Sequence, residues 1–163
     1  MAVLTRTEYH VERIDGREIQ KPVPKKLHSV IQDYMGRKLA EKIPDSCQVL
    51  PELNVICGED RLVPEITVAS RSARCIDGDL ADPAVLCVEI MSPGQTLSNI
   101  FDKAERLLNS GLPICWIVWP ERRQAWAYTV GGLSEAIDAL TAEMPDGPAP
   151  VTISTADMWG SLD

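Results

Sequence analysis

A glutamate inside an uninterrupted apolar run is the first residue of this chain whose chemistry needs explaining. Glu89 sits in Ala84-Val85-Leu86-Cys87-Val88-Glu89-Ile90-Met91. Continuous rather than alternating apolar residues mark a central strand covered on both faces. A lone carboxylate there is costly unless it is neutralised, paired or given a metal. The alternative is a strand-end glutamate that reaches solvent just before the turn Ser92-Pro93-Gly94. A second acid, Glu65, follows Pro64 in the strand-like run Arg61 to Ala69, where alternation puts Val63, Glu65 and Thr67 on one face. Lys103 falls in the second turn of a helix that Ser98 can cap, about 7–8 Å along the axis and level with the end of the preceding strand. Asn99 lies one turn earlier on the same face, with Arg106 close by. Two carboxylates suit a hard divalent ion such as Mg²⁺ or Mn²⁺. Such an ion polarises a phosphoryl oxygen and acidifies water, and a nearby lysine orients that water or offsets developing charge. The trio therefore suits hydrolysis of a phosphodiester. It also describes an ordinary buried salt bridge.

The elements that must position these residues follow from pattern. Tyr9 to Ile14 and Arg17 to Lys21 flank Asp15-Gly16, a hairpin dipeptide. Pro22 and Pro24 stop pairing, and Pro24 suits the start of a helix. Leu27, Val30, Ile31, Tyr34, Met35, Leu39 and Ile43 then recur at helical spacing over Lys25 to Ile43. Cys47 to Cys57 reads as one long strand, Gly58-Glu59-Asp60 as a turn, and Arg61 to Ala69 as the next strand. After a loop over Ser70 to Pro83 and the strand bearing Glu89, a helix runs to about Ser110 and stops at Gly111. Ile114 to Trp119 and Gln124 to Val130 form a strand pair around Pro120-Glu121-Arg122-Arg123. A short helix near Ser134 to Ala142 and a strand near Val151 to Ile153 complete the tail. The order α-β-β-β-α-β is an α/β (α+β) architecture with a mixed sheet flanked by helices. Strand–helix–strand from Val85 to Val118 would be a right-handed parallel crossover.

Composition narrows the functional classes. The 163 residues fit one domain, with a core over about 9–130 and an acidic extension over 131–163. Residues 1–10 carry no apolar signal segment and no stretch is long enough to span a membrane, so a cytoplasmic protein is expected. The five cysteines form no C-x-x-C pair, and with only His10 and His28 available they read as reduced, buried thiols, not a zinc site. Net charge is −8, unevenly spread. Residues 1–42 carry nine Lys/Arg against six Asp/Glu, and residues 43–163 carry seven against eighteen. A basic arm on an acidic body is compatible with touching phosphates at one place, and equally with a solvated helix face. His28 flanks the apolar stripe beside Ile31 and Met35 and reads as a structural or surface histidine. Trp116, Trp119, Trp126 and Tyr128 read as sheet packing or a homodimer contact, with a base-stacking platform as the alternative. Ser92 belongs to a turn, and no Ser-His-Asp set is visible.

Several segments together carry a resemblance. V-P-E-I-T-V (63–68), L-C-V-E-I-M-S-P (86–93), Asp102-Lys103 and G-L-P-I-C-W-I-V-W-P (111–120) stand in consistent order. I-D-G-R-E-I (14–19), L-H-S (27–29) and R-R-Q-A-W-A-Y-T (122–129) join them. Over roughly residues 9–130 the chain resembles the Uma-type putative restriction endonuclease family, a bacterial branch of the PD-(D/E)xK nuclease superfamily. The resemblance implies a restriction-endonuclease-like core. It places the family's P-D motif on Pro64-Glu65, its strand glutamate on Glu89 and its helical lysine on Lys103. It also matches an acidic position to Glu52 at the site's margin and a family histidine to His28. By that implication Glu65 and Glu89 hold Mg²⁺ or Mn²⁺, Lys103 serves the attacking water, and the substrate is DNA. Two positions depart from the pattern: Glu65 replaces an aspartate, and Asn99 stands where the family often has an acid. They motivate a rival expectation, a weakened or inactive nuclease-fold protein with a binding or regulatory role. The acidic body motivates a third, hydrolysis of a small phosphate ester.

Overall fold

The computed structural model describes residues 10–163; the expected strand start at Tyr9 and the reading of residues 1–9 lie outside the described residues. The chain opens with the expected hairpin, β1 (Val11–Ile14) and β2 (Arg17–Gln20), closed by Asp15-Gly16 with φ of 52° and 75°. Two positive φ values are what a tight hairpin turn demands. Helix α1 (Lys26–Lys42) follows Pro22 and Pro24 and buries His28, Ile31, Met35 and Leu39.

Each of the two long strands expected next is broken in two. β3 (Cys47–Pro51) and β4 (Val55–Cys57) replace the first, and β5 (Asp60–Leu62) and β6 (Ile66–Ser70) replace the second. They form one long hairpin that changes sheet midway: β3 pairs with β6 up to Pro51–Ile66, and β4 pairs with β5 from Val55–Leu62. The physical cause sits at the break. Pro64 has no N–H to give a ladder, and Glu52 opposite adopts φ of 53°, outside the strand region. A single bond, Glu52 N–H to the Glu65 carbonyl at 3.2 Å, holds the break closed. Glu65 is thus at a bend and not inside a strand.

Beyond the small hairpin β7 (Cys75–Ile76) and β8 (Asp79–Leu80) comes β9 (Leu86–Ile90), buried throughout. α2 (Leu97–Asn109) is capped by Thr96, whose hydroxyl accepts from the Asn99 N–H, two residues before the expected Ser98 cap. It ends as expected at Gly111, where φ is 108° and an added Cβ would meet Pro83 Cγ at 3.0 Å. β10 (Cys115–Trp119) returns parallel to β9, and β11 (Gln124–Thr129) pairs antiparallel to β10. The main sheet has the order β12-β11-β10-β9-β6-β3, with β12 (Gly132–Glu135) at one edge. The core order α1-β3-β6-β9-α2-β10 is the one the sequence implies. A second sheet, β2-β1-β5-β4-β8-β7, was not foreseen.

Both faces of β9 are covered. Leu86, Val88 and Ile90 join α1 in one core, whereas Cys87 and Met91 join Ile100, Ala104 and Leu107 of α2 in the other. The helix expected near Ser134 to Ala142 is absent. That segment holds β12 and then β13 (Ala139–Ala142), which pairs with β14 (Val151–Ser154). Leu140 and Ala142 alternate inward, so pairing and burial override the local helix propensity. A final helix, α3 (Thr155–Gly160), is capped by Ser154, which accepts from the Asp157 N–H. Its signature, a serine three residues before an acid, was available in the sequence. Residues 131–163 therefore do more than extend the core: Leu140, Val151, Ile153 and Met158 sit in the α1 cluster itself.

Leu140 is fully buried and Val130 is 84% exposed. Leu140→Ala should cost about 2–5 kcal/mol in urea unfolding, and Val130→Ala less than about 0.5 kcal/mol. Equal, small losses would contradict the placement of the tail in the core.

Candidate functional site

Glu89 is 1% exposed, which excludes the solvent-reaching alternative. It shares the β9 face with Cys87, toward α2, because successive side chains alternate. α2 folds back over that face and delivers Lys103, whose Nζ donates to Glu89 Oε2 at 3.0 Å and stands 2.9 Å from Oε1. Of the expected trio Glu65, Glu89 and Lys103, the last two are therefore in direct contact. Lys103 Nζ also contacts Glu12 Oε1 on β1 and donates to the Val63 carbonyl at 3.1 Å.

Glu65 lies in a neighbouring cluster. Its Oε1 is 3.1 Å from Lys21 Nζ and 3.3 Å from His28 Nε2. Lys21 also donates to Glu52 Oε2 at 3.1 Å and to the Val63 carbonyl at 2.8 Å. Gln32 ties the same corner, its amide donating to Glu52 Oε1 and to the Glu65 carbonyl, both at 3.2 Å. The two clusters meet at Val63. Its carbonyl accepts from both lysines, and its N–H donates to Glu12 Oε1 at 2.9 Å. Released from the ladder by the bend, these buried backbone groups are satisfied by side chains, as buried peptide groups must be.

Of the accessory candidates, Glu52 and His28 are at the site and Asn99 is not. Asn99 is exposed, and its backbone N–H serves the α2 cap. Arg106 faces away as well, bonding Asp15 and Asp60 at 2.8–3.0 Å and so docking the β1–β2 turn on α2. Glu12, Lys21 and Gln32 were missed. A signal for Glu12 existed: alternation in V-E-R-I puts it on the face of Ile14, the inward one. Nothing local marks Lys21 or Gln32, which reach the site only through the hairpin exit and the helix docking.

The tryptophans and Tyr128 pack as the sequence suggests. Trp116 is fully buried, while Trp126 and Tyr128 sit edge-on to Phe101 at 5.9 and 6.3 Å between centroids. The cysteines are all free, and only Cys75 is exposed.

Charge at the site is unbalanced: the carboxylates of Glu12, Glu52, Glu65 and Glu89 face the ammoniums of Lys21 and Lys103. The imbalance appears in proton affinities. Burial pushes the Glu89 carboxyl up to about 7, only partly opposed by Lys103. Burial also raises Glu65, but His28 and Lys21 outweigh it and hold its carboxyl at about 2. Glu52 is pushed up by burial and by its neighbour Glu65, so of this coupled pair Glu65 stays ionised and Glu52 takes a proton first. Burial works against the Lys103 charge, yet Glu89 and Glu12 more than compensate and keep it an ammonium.

The donor set fits a hard divalent ion. All four acids offer oxygen, and the buried Glu89 Oε1 accepts no hydrogen bond despite its closeness to Lys103. Among the described residues, no three His, Cys, Asp or Glu side chains converge to cage an ion on their own. An ion of the magnesium type keeps waters and needs only one or two carboxylates. Beside Glu65 a cavity of about 300 Å³ opens, lined by His10, Lys21, Pro22, His28, Gln32 and Glu52 among others.

Residues 1–150 match the family model described as Uma2, putative restriction endonuclease. Among solved structures, the chain is similar to a putative nuclease belonging to DUF820 from Anabaena variabilis ATCC 29413. The TM-score is 0.78 at 22% identity, covering 93% of this chain and 90% of that one. No curated protein matches. Among the described residues no helix is long and apolar enough to cross a membrane.

Removing Lys103 strands Glu12 and Glu89 in a dry interior. Lys103→Met should cost roughly 3–5 kcal/mol near neutral pH, whereas Asn99→Ala should stay within about 0.5 kcal/mol. Chemical denaturation reads both, and a mild Lys103→Met would show that the ammonium is not needed to neutralise the pair.

Proposed function

Because the chain belongs to the Uma2 family of putative restriction endonucleases, we propose that it is a divalent-metal-dependent endonuclease that hydrolyses DNA phosphodiester bonds. The observation that carries this reading is the gathering of four carboxylates, three of them buried, around Val63 against two ammoniums. Glu65 and Glu89 are the residues that would hold Mg²⁺ or Mn²⁺, since one is held ionised and the other has an oxygen without a hydrogen bond. When bound, the ion supplies polarisation of a phosphoryl oxygen and a more acidic water.

This chain's own residues supply the rest. Glu12, Glu89 and Val63 occupy the Lys103 ammonium, which would serve the attacking water and offset charge gathering on the phosphorus-bound oxygens once the ion takes over Glu89. His28 and Gln32 fix Glu65, the first beside its carboxylate and the second through its carbonyl. Burial excludes bulk water from Glu89 and Lys103, which strengthens each charge interaction. A phosphate would approach from the cavity side, where Lys25 and Lys26 are exposed between the lining residues Pro24 and His28. That basic rim offsets the acidity of the remaining body. The cytoplasm is the proposed compartment, as for an enzyme acting on cellular or invading DNA.

A second reading has its own support. Both acid pairs already hold an ammonium, and the family's aspartate is the longer Glu65, so the same fold can persist as a binding or regulatory module without turnover. Plasmid incubation with Mg²⁺ or Mn²⁺ separates the two. Cleavage is expected, abolished by chelator and reduced roughly a hundredfold or more in Glu89→Gln. Undiminished cleavage by that variant would exclude this site, and inert wild-type protein would favour the non-catalytic module.

A further inference from the structure

Lys21 and Lys103 are held in the same manner. Lys21 Nζ has Glu52 Oε2 and Glu65 Oε1 at 3.1 Å each and donates to Val63 O at 2.8 Å. Lys103 Nζ has Glu12 and Glu89, and donates to the same Val63 O at 3.1 Å. Their side chains are 9% and 8% exposed. Each ammonium thus lies on its own pair of carboxylates, and the two share one oxygen.

Taking the Glu65–Glu89 pair as the seat of one divalent ion, we infer that Lys21 fills a second cation position, on Glu52, Glu65 and Val63 O, and so limits the protein to a single divalent ion. Three features set Lys21 apart from a surface ion pair. Its three donors meet three oxygens, so the ammonium is fully used. Pro22 follows it directly, and φ is fixed there, so the backbone behind the lysine is held in place. Glu52, its partner, is held with φ of 53°, a left-handed conformation uncommon for a non-glycine residue. The cavity of about 300 Å³ touches Lys21, Glu52 and Glu65 together, giving an ion a route to those oxygens once the lysine is gone. His28 lies 3.3 Å from the same Glu65 oxygen, whereas His10, 3.8 Å from Glu52, is 55% exposed.

Mn²⁺ binding, counted by electron paramagnetic resonance and by calorimetry, tests this on the intact chain. Wild-type protein should take up one ion and Lys21→Met two, the second lost again in Lys21→Met/Glu52→Gln. One ion in both wild type and Lys21→Met, at unchanged affinity, overturns the inference and leaves the Glu65–Glu89 seat standing. No ion in wild type but one in Lys21→Met, removed by Glu52→Gln, supports Lys21 as the occupant of a cation position and overturns both the Glu65–Glu89 seat and the limit to a single ion. No ion in either overturns both. Should Lys21→Met fail to fold in chelator, its circular dichroism is followed as Mn²⁺ is added against matched NaCl. Recovery of structure with Mn²⁺ alone supports a cation position there, and no recovery overturns it.

Discussion

The carbonyl of Val63 is the point on which the site depends. It is free to accept from two lysines because the hairpin of β3–β4 and β5–β6 changes sheet at that residue. A straight hairpin would commit this carbonyl to a neighbouring strand and turn Glu65 into the sheet. The bend instead gathers Glu52 and Glu65 on one side of Val63, while β9 and α2 bring Glu89 and Lys103 to the other. Pro64 and the left-handed Glu52 are the local chemistry of the bend, and Arg106 keeps the β1–β2 hairpin, with Glu12 and Lys21, docked over it.

Electrostatics makes this arrangement expensive as well as useful. A buried ion pair seldom stabilises a fold relative to well-packed apolar residues of the same size. Here several such pairs lie together with acids in excess, and a carboxyl at Glu89 pushed up to about 7 marks the strain. Fold stability is supplied elsewhere, by the apolar face of α1 and by α2 against the sheet, with the C-terminal strands closing the core around Leu140 and Met158. A stable scaffold thus carries a charge cluster that itself favours neither burial nor packing.

Much of this was legible in the sequence, because the signals were local. The continuous apolar run around Glu89 announced a doubly covered strand, and the 3.6-residue stripes of α1 and α2 fixed what covers it. Helix rise placed Lys103 level with Glu89, given a helix that folds back along its own strand. What was not legible came from long-range contacts. The two broken strands each read as continuous, since a bend at Pro64 depends on the opposing Glu52 leaving strand geometry. The tail from Ser134 to Ala142 reads as helix by composition, but β14 supplies pairing partners that no local pattern reveals. Lys21 and Glu12 lie on a short hairpin with few buried residues, and only docking against Val63 and α2 gives them a role. His28 shows the limit most clearly. Its place beside the α1 stripe was correct and suggested packing, yet its ring stands against Glu65 because the bend puts a carboxylate where a sheet residue would have been.

The claim at the centre is that Glu65 and Glu89, though each contacts its own ammonium, together seat one divalent ion beside Val63. Anomalous diffraction from crystals soaked in Mn²⁺ tests it most directly. A single peak at coordination distance, about 2.1 Å, from an oxygen of each glutamate is expected. Fully soaked crystals with no peak between them, or with manganese bound only elsewhere, would contradict it.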